Sequence, residues 1–508
     1  LNAAPDPNRL DLWERLLVDG TANDAVLADY HRDAVALGLL ERARRLFERL
    51  LKTSPGHVRL HSYHVAVCLQ QGDHPAAMTS IEQLAASSAP EEGFLDAALA
   101  VRRRLGTMRI TGSAAHSLSL CMIARNEGKL LGPCLHAIKP LVDEIIMIDT
   151  GSTDRSADIA RLFGATVHDF KWCDDFAAAR NFGISNAAGD WILVLDADET
   201  IAAPDFNSLR TLIREHADRR VAFSIETRNY CHTANTFGWR GNAGAYPSHE
   251  AALGWFPSRK VRLFRRSAEV RFHFPVHERV EPSLAAAGIT VLECTVPVHH
   301  YGHLNETRNQ EKARNYYQLG YAKLHKMKHD PGAVRELAVQ AGQLERWPEA
   351  IGLWRRLLDL RPGYPEALIN MASAHWQLGD YRESLTWTEK ALARDATLKE
   401  AHFNRALSFM MLGDFQQTIA ILEPLLQTHP DYMAAIFMLS VAYACSARKE
   451  EALTLISRLQ RTAAAAAIAG ALEDVSRRLQ SAGHDDAILQ MKAVFYEPTP
   501  ADAHPNRV

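Results

Sequence analysis

Apolar residues recur along this chain in three rhythms. Up to about residue 112 they follow helical spacing. In LGLLERARRLFERLLKTSPG they share one helix face, and Pro55-Gly56 stops the run. Gly38 and Gly72 stand 34 residues apart, as do Ala43 and Ala77. A turn glycine followed by a small residue at a helix crossing reads as a repeated helix pair or as a generic helical hairpin. Between Ser117 and Glu199 short apolar runs alternate with amphipathic stretches. SLSLCMIARNE, DEIIMIDTGSTD, ATVHDF and WILVLDADE read as strands. GKLLGPCLHAIKPL, RSADIARLFG and FAAARNFGISNAAG read as helices, with Gly132-Pro133 a candidate break in the first. This alternation predicts right-handed crossovers and a parallel sheet whose strand ends open on one crevice. From Thr200 to about Leu304 the pattern is less regular and richer in aromatics, with AFSIETRNY and SRKVRLFRR as further strands. LNETRNQEKARNYYQLGYAKLHKM then reads as a charged helix leading into the third rhythm. Pro362, Ala396 and Pro430 are spaced by 34, as are Glu345, Gly379 and Gly413, and Ala350, Ser384, Thr418 and Ala452. Trp347, Tyr381 and Phe415 share one aromatic position, read as inter-helix core rather than as ligand contacts. TAAAAAIAGALEDVSRRLQ continues as helix, and PTPADAHPNRV reads as a frayed tail. The expected domains are a helical repeat region over 1–112, an α/β domain over 113–312 and a helical solenoid over 313–508.

Composition narrows the class. A chain of 508 residues exceeds one core, and 47% hydrophobic with 23% charged residues describes an ordinary globular protein. A net charge of -3 gives no general drive toward nucleic acid or an anionic membrane, so no nucleic-acid partner is expected. No apolar run is long enough for a transmembrane helix, and LNAAPDPNRLD has no signal-peptide core. The chain begins with Leu, which leaves removal of upstream residues open. Cys68, Cys121, Cys134, Cys173, Cys231, Cys294 and Cys445 are scattered, without a C-x-x-C pair. That argues against a disulfide framework and a zinc site, and points to buried thiols in a cytoplasmic setting.

The chemistry gathers where the strands end. Trp191-Ile192-Leu193-Val194-Leu195 reads as a strand buried on both faces and runs into Asp196-Ala197-Asp198-Glu199. Residues i and i+2 of a strand share a side, so Asp196 and Asp198 would present two carboxylates together. Such a pair suits a hard divalent cation that also holds a diphosphate; the plainer reading is two solvated acids opening a turn. The other strand ends carry Arg125, Asn126 and Glu127, then Asp149 to Asp154, then Trp172, Asp174 and Asp175. Gly151 lets backbone approach a ligand, and Asp154 can cap the next helix. Neither G-x-G-x-x-G nor G-x-x-x-x-G-K-[ST] is present, which disfavours a hydride cofactor or a P-loop nucleotide. Lys260 and Arg262 on one strand face, with Arg259, Arg265 and Arg266, read either as a site for a diphosphate or acidic acceptor or as a solvated edge strand.

IARNEGKLL, IIMIDTGSTDRSADIA, WCDDFAAARNFGI and GDWILVLDADE, in that order over about ninety residues, resemble the family 2 glycosyltransferases with the A-type fold. The helix pairs with a period of 34 resemble tetratricopeptide repeats. Together they imply an α/β nucleotide-binding domain with a mixed, mainly parallel sheet, flanked by α-helical repeats. The resemblance implies that Asp149 contacts a nucleobase, most often uracil, and that Glu127 lies near the ribose or base. It brings Arg180 toward the nucleotide; pairing with a surface acid is the alternative. It makes Asp196 and Asp198 the D-x-D pair, with Asp198 the more direct ligand of manganese or magnesium. FPVHERV and VPVHHYGH extend it. His277-Glu278 stands where such enzymes carry the carboxylate facing the anomeric carbon. Glu278 would then be the base of an inverting transfer, unless the two residues only anchor a loop. His300 is a candidate additional metal ligand, since neutral imidazole binds such ions, or else a histidine satisfied by hydrogen bonds. His299 alternates with it, so at most one of them should face the site.

The expected enzyme is a metal-dependent inverting glycosyltransferase using a nucleoside-diphosphate sugar, UDP-sugar first. Its expected acceptor is a peptide or protein side chain, held by the repeats. Peptide S-glycosyltransferases combine a similar domain with helical repeats, which makes Cys, Ser or Thr side chains plausible acceptors. Cell-surface polysaccharide or lipid-linked glycan assembly is the enzymatic alternative. An inactive repeat scaffold is the alternative of another class. The oligomeric state is not legible in the sequence.

Overall fold

The apolar runs become strands in the computed structural model, which describes residues 6–20, 24–87, 92–110, 116–231, 239–252, 254–304, 306–460 and 465–495. The tail over 498–508 and the first five residues lie outside the described residues, as do 462–464 ahead of the helix Ala465–Ser481. The strands are β1 (Leu118–Ala124), β2 (Glu144–Asp149), β3 (Thr166–Asp169), β4 (Trp191–Val194), β5 (Glu199–Thr200), β6 (Val221–Cys231), β7 (Arg240–Gly241), β8 (Gly254–Arg265) and β9 (Thr290–His300). They form one sheet in the order β3-β2-β1-β4-β8-β6-β9-β5, with β7 on β8. The first four are parallel, and β8 joins β4 antiparallel, pairing Ile192 with Phe264.

The chain divides into two units: Leu1–Thr227 with Arg259–Val298, and Arg228–Ser258 with His299–Val508. In the first unit alternate residues of the strands feed two cores. Leu118, Leu120, Ile145, Trp191 and Leu193 meet the helices Gly128–Ile138 and Ser156–Leu162. Cys121, Ile146, Ile148, Ile192 and Val194 meet the helix Phe176–Asn186. Burial on both faces explains why these strands read as unbroken apolar runs. The helix Gly128–Ile138 runs unbroken through Gly132-Pro133, the candidate break. Pro133 removes one helix hydrogen bond without ending the helix. Gly132 has another purpose: a Cβ there would stand 2.6 Å from the Ala85 carbonyl oxygen. The absent side chain lets the front-end helix His74–Ser87 pack directly on this one. Glu82 adds ion pairs to Arg102 and Lys139 across the same region.

In the second unit the 34-residue period becomes helix pairs. Pro331–Gln343 precedes Trp347–Leu360, Pro365–Gln377 precedes Tyr381–Arg394, Lys399–Met411 precedes Phe415–Thr428, and Met433–Cys445 precedes Lys449–Gln460. Ala350, Ser384, Thr418 and Ala452 are all buried at the crossings. Within each pair the turn residue has positive φ: Glu345, Gly379, Gly413 and Ala447. Only glycine enters that region without steric cost, so the first and last pairs accept a small strain to keep the turn. Trp347, Tyr381 and Phe415 are half-buried and pack on the helical cores, as expected of core aromatics. Residues of the segment between β6 and β8 belong to the same core: Trp239 is buried, 6.0 Å from the Tyr432 ring, and its carbonyl accepts from Lys399 Nζ at 2.7 Å.

Candidate functional site

The carboxyl ends of β1, β2 and β4 hold polar groups that fix one another. At the end of β2, buried Asp149 accepts from the backbone N–H groups of Gly151 (3.1 Å) and Ser152 (2.8 Å) through Oδ1. One carboxylate oxygen thus closes the loop on itself, an Asx-type turn, and Gly151 takes the φ of +101° that the turn needs. Exposed Asn126, at φ +56°, reaches from the β1 end and accepts from Thr153 N at 2.8 Å. Asp154 accepts from Ser156 N at 2.9 Å and from Gly128 N at 3.1 Å, so it satisfies the first N–H of two helices. Glu127 is half-buried, and its N–H donates to Ser156 Oγ at 2.8 Å.

Arg180 is the hub of the site. Asp175 caps its helix by accepting from Ala178 N at 3.0 Å. The Arg180 side chain is only 7% exposed. Its Nη2 donates to Asp196 Oδ1 at 2.6 Å, and its Nε to Glu278 Oε1 at 3.0 Å. Its Nη1 is buried and has no hydrogen-bond partner among the described residues. Arg180 does pair with acids, and both of them, Asp196 and Glu278, are residues of the candidate site. Burial works against charge on Arg180, but Asp196 and Glu278 together hold its pKa above the ordinary value. Burial alone would raise the Asp196 carboxyl. Arg180, with Lys260 and Arg262 behind it, reverses that and keeps it below the usual carboxylate range.

Glu278, 16% exposed, sits on a tight loop. His273 and Arg279 pair as a β-bridge and close it. Phe274 (φ 73°) and His277 (φ 54°) both take left-handed backbone there. Non-glycine residues in that region are uncommon and cluster where geometry is functional. Asn181, one residue after Arg180, clamps the loop's root: Nδ2 donates to Phe272 O at 3.0 Å, and Oδ1 accepts from Phe272 N at 2.8 Å. Phe176 N donates to Pro275 O at 2.9 Å. The two ends of one short helix segment therefore seat the loop that carries Glu278. Asn181 leaves no signal in the sequence beyond its place in Ala-Arg-Asn beside Arg180.

Three expectations change. β4 ends at Val194, so Asp196, Ala197 and Asp198 lie in a turn closed by Glu199 N donating to Asp196 O at 3.0 Å. The same-side argument for a strand does not apply; Asp196 stays one-third exposed, while Asp198 is buried. Arg262 is neither a solvated edge residue nor a diphosphate clamp. β8 lies inside the sheet, and Arg262 is buried in a two-pronged ion pair with Glu199. Arg259, Lys260, Arg265 and Arg266 remain exposed, but Arg266 Nε donates to Gly189 O at 2.8 Å and Arg265 Nη1 to Ala217 O at 2.6 Å. Cys173 is exposed, against the expectation of buried thiols; the other six are buried.

The structure brings Arg180, Asp196 and Glu278 together. His277 precedes Glu278 and is exposed. His300 belongs to the second unit, where its Nδ1 lies 2.7 Å from Asn229 Oδ1. His299 is fully buried, with Nδ1 2.8 Å from the Tyr230 hydroxyl. Among the described residues no three His, Cys, Asp or Glu side chains gather closely enough to hold a metal ion by themselves. The donors that fit such an ion are two hard carboxylates in one turn, beside an unsatisfied guanidinium N–H that suits an anionic oxygen.

Residues 119–272 match the family model for glycosyl transferase family 2. The middle of the chain is a family 2 glycosyltransferase domain. Tetratricopeptide repeat models match 32–92, 335–398 and 409–475, so helical repeats flank the glycosyltransferase domain on both sides. A TPR repeat-containing protein of Synechococcus elongatus is 36% identical over 251 residues, covering 46% of this chain and 56% of its own. An uncharacterized glycosyltransferase of Rickettsia felis is 31% identical, covering 22% of this chain and 38% of its own. The prophage-derived glycosyltransferase SunS of Bacillus subtilis is 30% identical over 159 residues, covering 31% and 33%. The chain thus spans less than two thirds of the length of these curated relatives. No described helix is long and apolar enough to cross a membrane.

Proposed function

We propose that residues 113–312 transfer a sugar, with inversion, from a nucleoside diphosphate to a peptide or protein side chain, and that the donor is a UDP-sugar. One observation carries the reading: buried Arg180 holds Asp196 and Glu278 at once and keeps Nη1 unspent. A buried guanidinium N–H without a partner is costly unless a ligand oxygen completes it. A diphosphate oxygen fits that demand, and Asp149 and Glu127 at the neighbouring strand ends suit the nucleoside. Manganese or magnesium, held by Asp198 with Asp196, would supply charge neutralisation for the departing diphosphate. Asp196, already engaged by Arg180, orients; Asp198 is the more direct ligand. Glu278 takes the acceptor's proton as its nucleophile attacks the anomeric carbon, and His277 shapes the backbone that presents it. Similarity to the glycosyltransferase SunS supports glycosyl transfer. Repeats on both sides support a peptide or protein acceptor, because stacked helix pairs offer extended surfaces. Seven scattered cysteines without a C-x-x-C pair support a reducing, cytoplasmic setting.

Calorimetry with UDP and common UDP-sugars, with and without manganese, tests this. The wild type should bind in a manganese-dependent way, and Asp198→Ala should lose that dependence. Absence of binding by every donor, with or without metal, would leave the chain a repeat scaffold.

A further inference from the structure

We propose that Glu199 and Arg262 are positioning residues that lock the Asp196–Asp198 turn into its cation-binding shape; this rests on the donor and metal reading above. The turn is bonded in both directions. Glu199 N donates to Asp196 O at 3.0 Å, and Glu199 Oε2 accepts from Asp196 N at 2.9 Å. One residue thus closes the turn from both sides, as a capping box closes a helix start. Arg262 fixes Glu199 in turn. Its Nη1 donates to Glu199 Oε2 at 2.6 Å and to Val194 O at 3.2 Å; its Nη2 reaches Glu199 Oε1 and, at 3.3 Å, Thr227 Oγ1. The β4–β8 ladder ends at Leu193 and Leu263, so the Arg262 side chain takes over one residue beyond it. Cys134 Sγ donates to Glu199 O at 2.8 Å and ties the same turn to the helix Gly128–Ile138.

Glu199 and Arg262 are each 2% exposed. A buried ion pair is a poor source of stability, because apolar residues of equal volume often do as well. What apolar residues cannot do is cap the Asp196 N–H and hold the Val194 carbonyl. Arg262 also cancels the Glu199 charge, so the turn adds two acids to the site rather than three. Outer groups of this kind orient metal ligands without touching the metal.

The test compares wild type, the double variant Glu199→Met/Arg262→Met, which leaves no lone buried charge, and Arg262→Lys, which keeps the charge but not the fork. Three quantities are read: the melting temperature, the affinity for UDP with manganese, and amide exchange across 194–199. The double variant should fold, bind manganese–UDP about 10- to 100-fold more weakly and exchange faster at the turn. Arg262→Lys should fall between it and wild type. If the double variant does not fold, Arg262→Lys decides. Wild-type affinity and wild-type exchange in whichever folded variant decides would overturn the proposal. If the wild type itself binds no UDP, the functional reading fails instead, and unchanged exchange at the turn would still overturn the positioning role.

Discussion

The strand ends around Asp196 and the helical repeats use polar residues in opposite ways. In the repeats, the positions that pack at the crossings are Ala350, Ser384, Thr418 and Ala452, all buried and uncharged. Ion pairs such as Arg448–Glu451 and Arg477–Asp474 stay in solvent. At the strand ends Arg180, Asp198, Glu199 and Arg262 are all buried. Exposed pairs contribute little to stability, while a buried charge is expensive unless its partner is well placed. The contrast teaches where charges are held in a fixed geometry and where packing of small uncharged residues holds the fold. Damage to the first region should strike turnover and spare the fold. Damage to the second should strike the fold and spare donor binding.

The largest break of that contrast is Glu278→Gln. Transfer should fall about 10²- to 10⁴-fold, with donor affinity and melting temperature nearly unchanged. Steady-state kinetics beside calorimetry would check it, and a near-normal rate would reduce Glu278 to a loop anchor. Gly132→Ala is a packing lesion in the glycosyltransferase unit. A Cβ 2.6 Å from Ala85 O should cost about 1–3 kcal/mol in chemical denaturation while donor affinity survives.

His299 sharpens the comparison, because it is a titratable group buried in the second unit. Burial first, then His249 and Arg228, pushes its pKa down to about 3. It is therefore neutral in the native state. Its contribution is complete above the ordinary histidine pKa and is lost as pH falls from about 6.5 toward 3. By pH 5 the loss should reach about 2 kcal/mol, read as a urea midpoint lower than at pH 7. His299→Phe should flatten that dependence; an unchanged pH slope would show His299 charging freely. The smallest effect belongs to Asp414, which caps a repeat helix by accepting from Gln417 N at 3.0 Å. Asp414→Ala should cost about 1 kcal/mol of stability and leave donor binding untouched.

The same contrast explains what was legible in the sequence. Strands buried on both faces leave unbroken apolar runs, and β1, β2 and β4 were plain from them. The repeats were plain because a crossing admits only a small residue every 34 positions. The site was legible as a set of residue types at strand ends, less so as a geometry. Asp196 and Asp198 are two apart, but the strand stops at Val194, and a turn obeys a different rule of facing. Arg262 looked like a member of a basic patch because Lys260 and Arg259 are its near neighbours. Its partner Glu199 is remote in sequence, and pairing over such separation leaves no local mark. Its setting between Val261 and Leu263 in an apolar strand was the one hint of burial. The left-handed backbone at Phe274 and His277 left no trace either, since neither residue type announces it.

Gly132 carries a consequence for how this architecture can be rebuilt. The front helices lie against a surface moulded by a missing carbon atom, with Glu82 bracing the seam between Arg102 and Lys139. A foreign hairpin grafted ahead of the sheet would need a backbone that nests in the same notch and an acid at the same spot. Exchange of front ends between such chains is a carpentry problem before it is one of recognition.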